Sequence, residues 1–283
     1  MRLPDRSSSV WIDGDPGTLG KAVVPLQGSG LQAGLGVFET LALRTGRPLD
    51  LQAHLERLAS GARVLSIELP AKARLTETVE LAAAGSATPY GWLKILVLRG
   101  GPWYVFTGSM DAEEEGRAVS AIILPWRREP RDPLVGVKTT SYAAHQIGNE
   151  LARRRGADEG LWLNSRGHLA EGCSSNLFVV RHRRLFTPSR REGILAGVVR
   201  ALAIRAAKEL GIAVHETRVR LKRLRQADEA FLTSSLSGVR PLIAVDGRRV
   251  GNGEPGPVTG RLASCLRSMR GSGADDATVS GTS

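Results

Sequence analysis

Between Gly160 and Pro188 the chain is a succession of short apolar stretches cut by tight polar turns: GLWLN, Ser165-Arg166-Gly167, LAEGCSSNLFVVR, then RLFTP. Stretches this short, rich in Leu, Val and Phe and bounded by turn residues, read as strands, and RLFTP is expected to pair back on its neighbour as a hairpin. The pattern changes at Val198, where a helix is expected to run to Leu210 and close at Gly211. A sheet of such strands with helices laid on it defines an α/β (α+β) chain.

The other segments agree. Residues 10–24 read as an opening hairpin, and VFETLAL with RTGRPLDL as two strands around Gly46. Leu51, Leu55, Leu58, Ala62 and Leu65 fall at helical spacing, with Arg57 off that stripe. Further helices are expected at 74–84, 143–155, 221–226 and 258–269. Further strands are expected at 91–101, 119–126, 212–218, 229–234, 239–244 and around Lys138. RREPRDP after residue 126 is a polar, Pro-punctuated crossing. The expected organisation is a small N-terminal α/β domain (1–118), a strand and interdomain crossing (119–132), a larger domain (133–270) and a disordered Gly/Ser/Asp-rich tail (271–283).

Several function classes are disfavoured. No apolar run reaches membrane-span length and the N-terminal residues form no apolar signal segment, so the cytoplasm is the expected compartment and no membrane partner is expected. Two cysteines make no disulfide framework, and no cluster has metal-ligand spacing. The net charge of +11 invites a nucleic-acid reading. The arginines are scattered, however, and the 13 aromatic residues form no stacking array, so no nucleic-acid partner is expected. GSGLQAG (28–34) lacks dinucleotide-fingerprint spacing.

Lysine usage is more informative. Of 39 basic residues only six are Lys, and one, Lys138, sits in VGVKTTSY. Arg cannot release its proton and act as an amine nucleophile, whereas Lys can. Downstream lie Glu171, in the small polar segment AEGCSSN, and Gly193-Ile-Leu-Ala-Gly197-Val-Val-Arg200, a Gly-bearing turn entering a helix. The first turn of a helix has free N–H groups that seat a phosphate. A nucleophilic lysine, a carboxylate and a phosphate cradle are what pyridoxal 5′-phosphate requires.

Glu171-Gly-Cys-Ser-Ser-Asn176-Leu-Phe178, Leu185-Phe-Thr187 and Leu195-Ala-Gly197-Val198-Val-Arg200 together resemble the signature of class IV aminotransferases, the fold-type IV pyridoxal phosphate enzymes. KTTSY, GVFET (36–40), HLERL (54–58) and FLTSS (231–235) fall in family order, so the resemblance covers roughly residues 10–265. It implies a two-domain fold whose larger domain is a mixed sheet or pseudo-barrel, with the cofactor between the domains, and a homodimer. It implies that Lys138 forms the Schiff base and moves the substrate proton, and that Glu171 faces the pyridine nitrogen. Arg57, the Val198 and Val199 N–H groups, Ser234 and Ser235 are the implied phosphate ligands, and Tyr142 lies near the ring hydroxyl. Phe38, Arg99 and Tyr104 are the substrate-side candidates, Arg99 being equally an ordinary strand-end charge. Cys173, His54 and His145 read as structural or solvated.

Two reactions share this machinery. GVFET, KTTSY and the compact length resemble 4-amino-4-deoxychorismate lyases of folate biosynthesis, which release 4-aminobenzoate and pyruvate; that is the preferred expectation. The alternative is an aminotransferase for branched-chain or D-amino acids or amines. RGGPWYVFTG lacks the second arginine of many lyases, and the Arg-x-His trap of D-amino acid transaminases is missing too.

Overall fold

The computed structural model describes residues 4, 8–26, 28–86 and 88–271. The expected tail lies outside these residues except for Gly271, which ends the last helix. The first part contains β1 (Ser9–Ile12), β2 (Asp15–Gly17), α1 (Ser29–Gln32), β3 (Gly36–Arg44), β4 (Arg47–Pro48), α2 (Leu51–Val64), α3 (Lys72–Ala84), β5 (Tyr90–Leu98) and β6 (Trp103–Ser109). Its strands form an antiparallel sheet in the order β2-β1-β6-β5-β3-β4.

Side chains alternate across this sheet, as the pleat requires. Val37, Leu41, Leu43, Leu93, Ile95 and Val105 face α2 and α3, packing on Leu55, Leu58, Ala62, Leu75 and Val79. The opposite face carries Phe38, Leu96 and Tyr104, which are paired in register across β3, β5 and β6.

The second part contains β7 (Val119–Arg128), α4 (Ala143–Arg154), β8 (Glu159–Asn164), β9 (His168–Gly172), β10 (Asn176–Arg181), β11 (Arg184–Pro188), α5 (Val198–Glu209) and β12 (Val214–Thr217). It continues with β13 (Val219–Arg220), α6 (Leu221–Arg225), β14 (Glu229–Ser234), β15 (Gly238–Val245), β16 (Arg248–Arg249) and α7 (Pro257–Gly271). Strands β10-β14-β15-β7-β8-β9 follow one another as neighbours, and a β9–β10 pairing at Glu171↔Asn176 closes the ring. The sheet is mixed: β7 runs parallel to both β8 and β15, while β10–β14 and β14–β15 are antiparallel. Leu177 and Val179 of β10 turn to one core with Leu161, Leu169 and Leu232. Phe178 and Val180 turn to the other, beneath Val199 and Ala203 of α5 and Leu262 of α7. The strand at 119–126 therefore belongs to the larger sheet. Among the described residues no helix is long and apolar enough to cross a membrane.

One expectation fails. Lys138 is not in a strand: turns occupy 133–136, with Gly136 at φ +84°, and a single bridge, Val37↔Thr139, ties the segment to β3. The segment lies against the smaller sheet only long enough for two backbone bonds, Phe38 N–H to Lys138 C=O at 3.0 Å and Thr140 N–H to Gly36 C=O at 2.9 Å. Val-Gly-Val supplies apolar side chains, but a strand also needs a continuous pairing partner, which is absent here.

Candidate active site

A cavity of about 520 Å³ is lined by Phe38, Arg57, Lys138, Tyr142, Glu171, Val198, Val199, Ser234 and Ser235, nine of the sequence candidates. Arg99 and Tyr104 do not line it. Arg99 is exposed in the turn after β5. Tyr104 shares the face of Phe38 but sits two strands further out, its hydroxyl donating to Val23 C=O at 2.5 Å.

Lys138 enters the cavity beside two aromatic rings, its Nζ 4.6 Å from the Phe38 centroid and 5.9 Å from that of Tyr142. Burial and then the Arg57 charge lower its pKa to about 8, against the opposing pull of Glu39 and Glu171. The neutral amine is the nucleophile, so the initial rate at which the cofactor-free chain captures pyridoxal phosphate should rise with pH up to about 8 and then level off. Stopped-flow absorbance measures this, and a flat profile across that range refutes it.

Glu171, next to last in β9, lies at the closure of the barrel. Its Oε1 pairs with Arg128 Nη1. Its Oε2 accepts from Asn176 Nδ2 at 3.1 Å and from Leu195 N–H at 2.8 Å. Burial raises its pKa more than Arg128 and Leu195 lower it. The turn between Glu171 and Asn176 is held by Glu159 of β8, which accepts Ser174 N–H at 3.0 Å and the Ser174 hydroxyl at 2.8 Å.

Tyr142 caps α4, and its hydroxyl donates to Cys173 C=O at 2.7 Å. Burial pushes its pKa up. His145 stacks on it at 4.4 Å and reaches the same carbonyl through Nδ1 at 2.8 Å. Burial and then Arg128 bring His145 down to about 4, so the neutral ring carries its proton on Nδ1 and Nε2 accepts from Arg128 Nη2 at 3.2 Å. Cys173 is packed, its thiol pushed up to about 12 chiefly by burial, and it reaches the site through its carbonyl.

At the other end of the cavity, Arg57 forks onto Glu39 at 2.7 and 2.6 Å and reaches Ala196 C=O at 3.2 Å. Helix α5 starts beside it. Gly197 provides no side-chain cap, so the first-turn N–H groups of Val198 and Val199 lack intrahelical acceptors. The hydroxyl of Thr233 on the cavity wall is buried with no partner among the described residues. A guanidinium, free N–H groups and hydroxyls at one end, and a carboxylate at the other, fit pyridoxal phosphate.

A Cβ at Gly197 would lie 1.9 Å from Asn176 Oδ1. Gly197→Ala must therefore displace the side chain that steadies Glu171, or the cradle itself. It should weaken cofactor binding by roughly 1–3 kcal/mol, the usual cost of overpacking, as measured by titration of the cofactor-free chain.

Four residues escaped the sequence reading. Arg128 and His145 steady Glu171 and Tyr142, but Arg128 lies in a polar stretch with no local pattern. His54 lies three residues before Arg57 on one helical face, a spacing that could have paired them. Lys94, opposite Thr40 in register and diagonal to Phe38 on the same face, is buried. Its Nζ is 5.1 Å from the Phe38 centroid, burial lowers its pKa, and no anion pairs with it among the described residues.

Fold and cavity define a pyridoxal-phosphate enzyme of fold-type IV. The family model for class IV amino-transferases matches residues 36–245, and the chain belongs to that family. It is 27% identical over 291 residues to a branched-chain-amino-acid aminotransferase of Pseudomonas aeruginosa, covering 93% of this chain and 92% of that one. It superimposes with TM-score 0.86 and 27% identity on the T.th. branched-chain amino acid aminotransferase with pyridoxamine 5′-phosphate, covering 93% of this chain and 94% of that one. A Legionella pneumophila protein provisionally named 4-amino-4-deoxychorismate lyase superimposes with TM-score 0.80 at 25% identity, over 88% of this chain and 96% of that one. The cofactor is pyridoxal 5′-phosphate.

Proposed function

We propose that the chain is an aminotransferase for aliphatic, branched-chain amino acids. The observation that carries the chemistry is that Lys138 and Glu171 line one cavity, each within reach of the other's charge. Support for transamination over elimination comes from relatives, named branched-chain aminotransferases, that match over nine-tenths of the chain. This reverses the preference drawn from sequence alone. GVFET and KTTSY lie on elements that both reactions need, so they do not distinguish the steps after proton removal.

In this reading Arg57, the Val198 and Val199 N–H groups, Ser234 and Ser235 hold the phosphate, and Tyr142 orients the ring hydroxyl. Glu171 keeps a proton on the ring nitrogen, and the bound cofactor supplies an electron sink. Lys138, as a neutral amine, takes the proton from the substrate carbon bearing the amine and returns it elsewhere. Phe38 packs against the substrate. Lys94 lies behind Phe38 and supplies the positive potential that draws in a carboxylate. Lys94→Met should raise KM by about 10-fold, a loss of roughly 1.4 kcal/mol, with a smaller change in kcat, as read from steady-state kinetics. The expected homodimer is part of the same proposal, and sedimentation velocity tests it.

A second reading, the lyase, has support from the Legionella structure and from Lys94, a second amine near Phe38 whose protonated form would pair with one carboxylate of a substrate with two. One experiment separates the two. Activity that requires both a branched-chain amino acid and a keto-acid acceptor supports the aminotransferase. Release of 4-aminobenzoate from aminodeoxychorismate with no acceptor supports the lyase.

A further inference from the structure

His54 and Ser235, 181 positions apart in the chain, meet at the phosphate end of the cavity. Ser235 Oγ lies 3.2 Å from His54 Nε2. His54 Nδ1 lies 2.7 Å from Glu39 Oε2, and Arg57 grips the same carboxylate. Proton positions are fixed by counting donors. Burial works to raise the pKa of Glu39, but the charges and hydrogen bonds of Arg57 and His54 hold it at about 2, so Glu39 is an anion and Nδ1 must carry a hydrogen. Burial lowers the pKa of His54 more than Glu39 raises it. At neutral pH Nε2 is therefore bare, and the single hydroxyl hydrogen of Ser235 points at it.

A phosphate dianion against Ser235 needs that same hydrogen. Once the hydroxyl turns to the anion, an oxygen lone pair faces the bare Nε2. Moving the ring proton from Nδ1 to Nε2 does not help, because it sets a bare Nδ1 against a carboxylate. The conflict disappears only when both nitrogens are protonated: Nε2 donates to Ser235, Ser235 donates to the phosphate, and Nδ1 still donates to Glu39.

We propose that seating a phosphate dianion at this end of the cavity draws one proton onto His54, so that the loaded enzyme holds His54 as an imidazolium. The proposal deepens the cofactor reading above and rests on Ser235 and Arg57 as phosphate residues. The surrounding charges favour it. Glu39 on β3 and Arg57 on α2 cancel, while Asp50 before α2 is paired with Arg270 of α7, which also donates to Ser235 C=O at 3.3 Å. Of the other charged groups lining the cavity, Arg128 is paired with Glu171, Arg153 with Glu150 and Arg200 with Glu216, Arg240 acts on Glu159, and Lys138 is consumed by the cofactor. Most cations around the dianion are thus already matched by a carboxylate, and a proton on His54, one hydroxyl away, adds to the positive charge that Arg57 presents. The link has a definite sign. Anion affinity is greatest below the pKa of His54 in the free chain, and it falls by about tenfold per pH unit as pH rises towards the higher pKa of the loaded state.

The test is a pair of measurements on the full-length chain. In two-bond 1H–15N spectra at neutral pH, His54 should show two protonated ring nitrogens with pyridoxal phosphate bound, and a neutral ring protonated at Nδ1 after the cofactor is stripped. A neutral ring in both states overturns the proposal. The second measurement is calorimetry of sulfate, a dianion that does not titrate near neutrality, binding to the stripped Lys138→Ala chain in buffers of different ionisation enthalpy. It should report uptake approaching one proton per sulfate; binding with no uptake overturns the proposal. Failure of the cofactor-binding reading would look different, with no visible absorbance on adding pyridoxal phosphate and no response to sulfate, and it would remove the proposal's foundation.

Discussion

Lys138→Ala is expected to lose the visible absorbance of the lysine-bound cofactor and to lower kcat by at least about 10²–10⁴-fold, the range set by removing a positioned acid–base group. The structure separates this from a folding defect. Among the described residues no hydrogen bond or ion pair holds the Lys138 Nζ; its neighbours are the faces of Phe38 and Tyr142. Its lowered pKa means that below about pH 8 the folded chain carries a buried ammonium at a cost relative to the unfolded chain. Truncation should therefore leave the thermal midpoint of the cofactor-free chain unchanged or slightly raised. A large fall in that midpoint, or borohydride labelling at another lysine in the unmutated chain, would contradict the assignment.

Glu171→Gln should lower kcat by about 10²–10³-fold, the scale on which one electrostatic partner of the developing charge is lost. The amide keeps the shape but has one acceptor oxygen where the carboxylate has two, so it retains either the Arg128 contact or the Asn176 and Leu195 pair and turns its NH2 toward the donors of the other; the thermal midpoint of the cofactor-free chain reads that loss separately from the chemistry. What changes is the proton on the pyridine nitrogen: a carboxylate holds it, a neutral amide does not. Nitrogen NMR of the loaded chain should show a protonated ring with Glu171 and an unprotonated ring with Gln. Equal protonation in both, with equal kcat, would remove Glu171 from the chemistry.

These two residues were readable from the linear chain because their neighbours announce them. Glu171, Asn176, Gly197 and Arg200 lie within 30 residues on β9, β10 and the start of α5, with β11 between the last two, so the spacing along the sequence is set by the spacing in space. Most helices and strands were likewise legible, since periodicity reports which face is buried. The Lys138 segment was not. It satisfies strand preference, yet it touches β3 at a single bridge, and pairing depends on a partner 100 residues away.

The surroundings of Arg128, His54 and Lys94 also depended on residues distant in the chain. Arg128 sits in a polar crossing that looks solvated, but it reaches back to Glu171, 43 positions on. Tyr104 illustrates the converse error: a residue on the correct face of the correct sheet can still lie two strands from the cavity.

By itself the sequence determined the family and the cofactor and singled out Lys138 and Glu171, which line one cavity, because a reaction that needs an amine, a phosphate seat and a ring partner restricts residue types at short range. The tertiary structure decided which charges surround that pair: the Arg128–Glu171 contact, the Ser235–His54–Glu39 line and the buried Lys94. Electrostatics and hydrogen bonding act through distances of a few ångströms, and only folding brings residues so far apart in the chain that close.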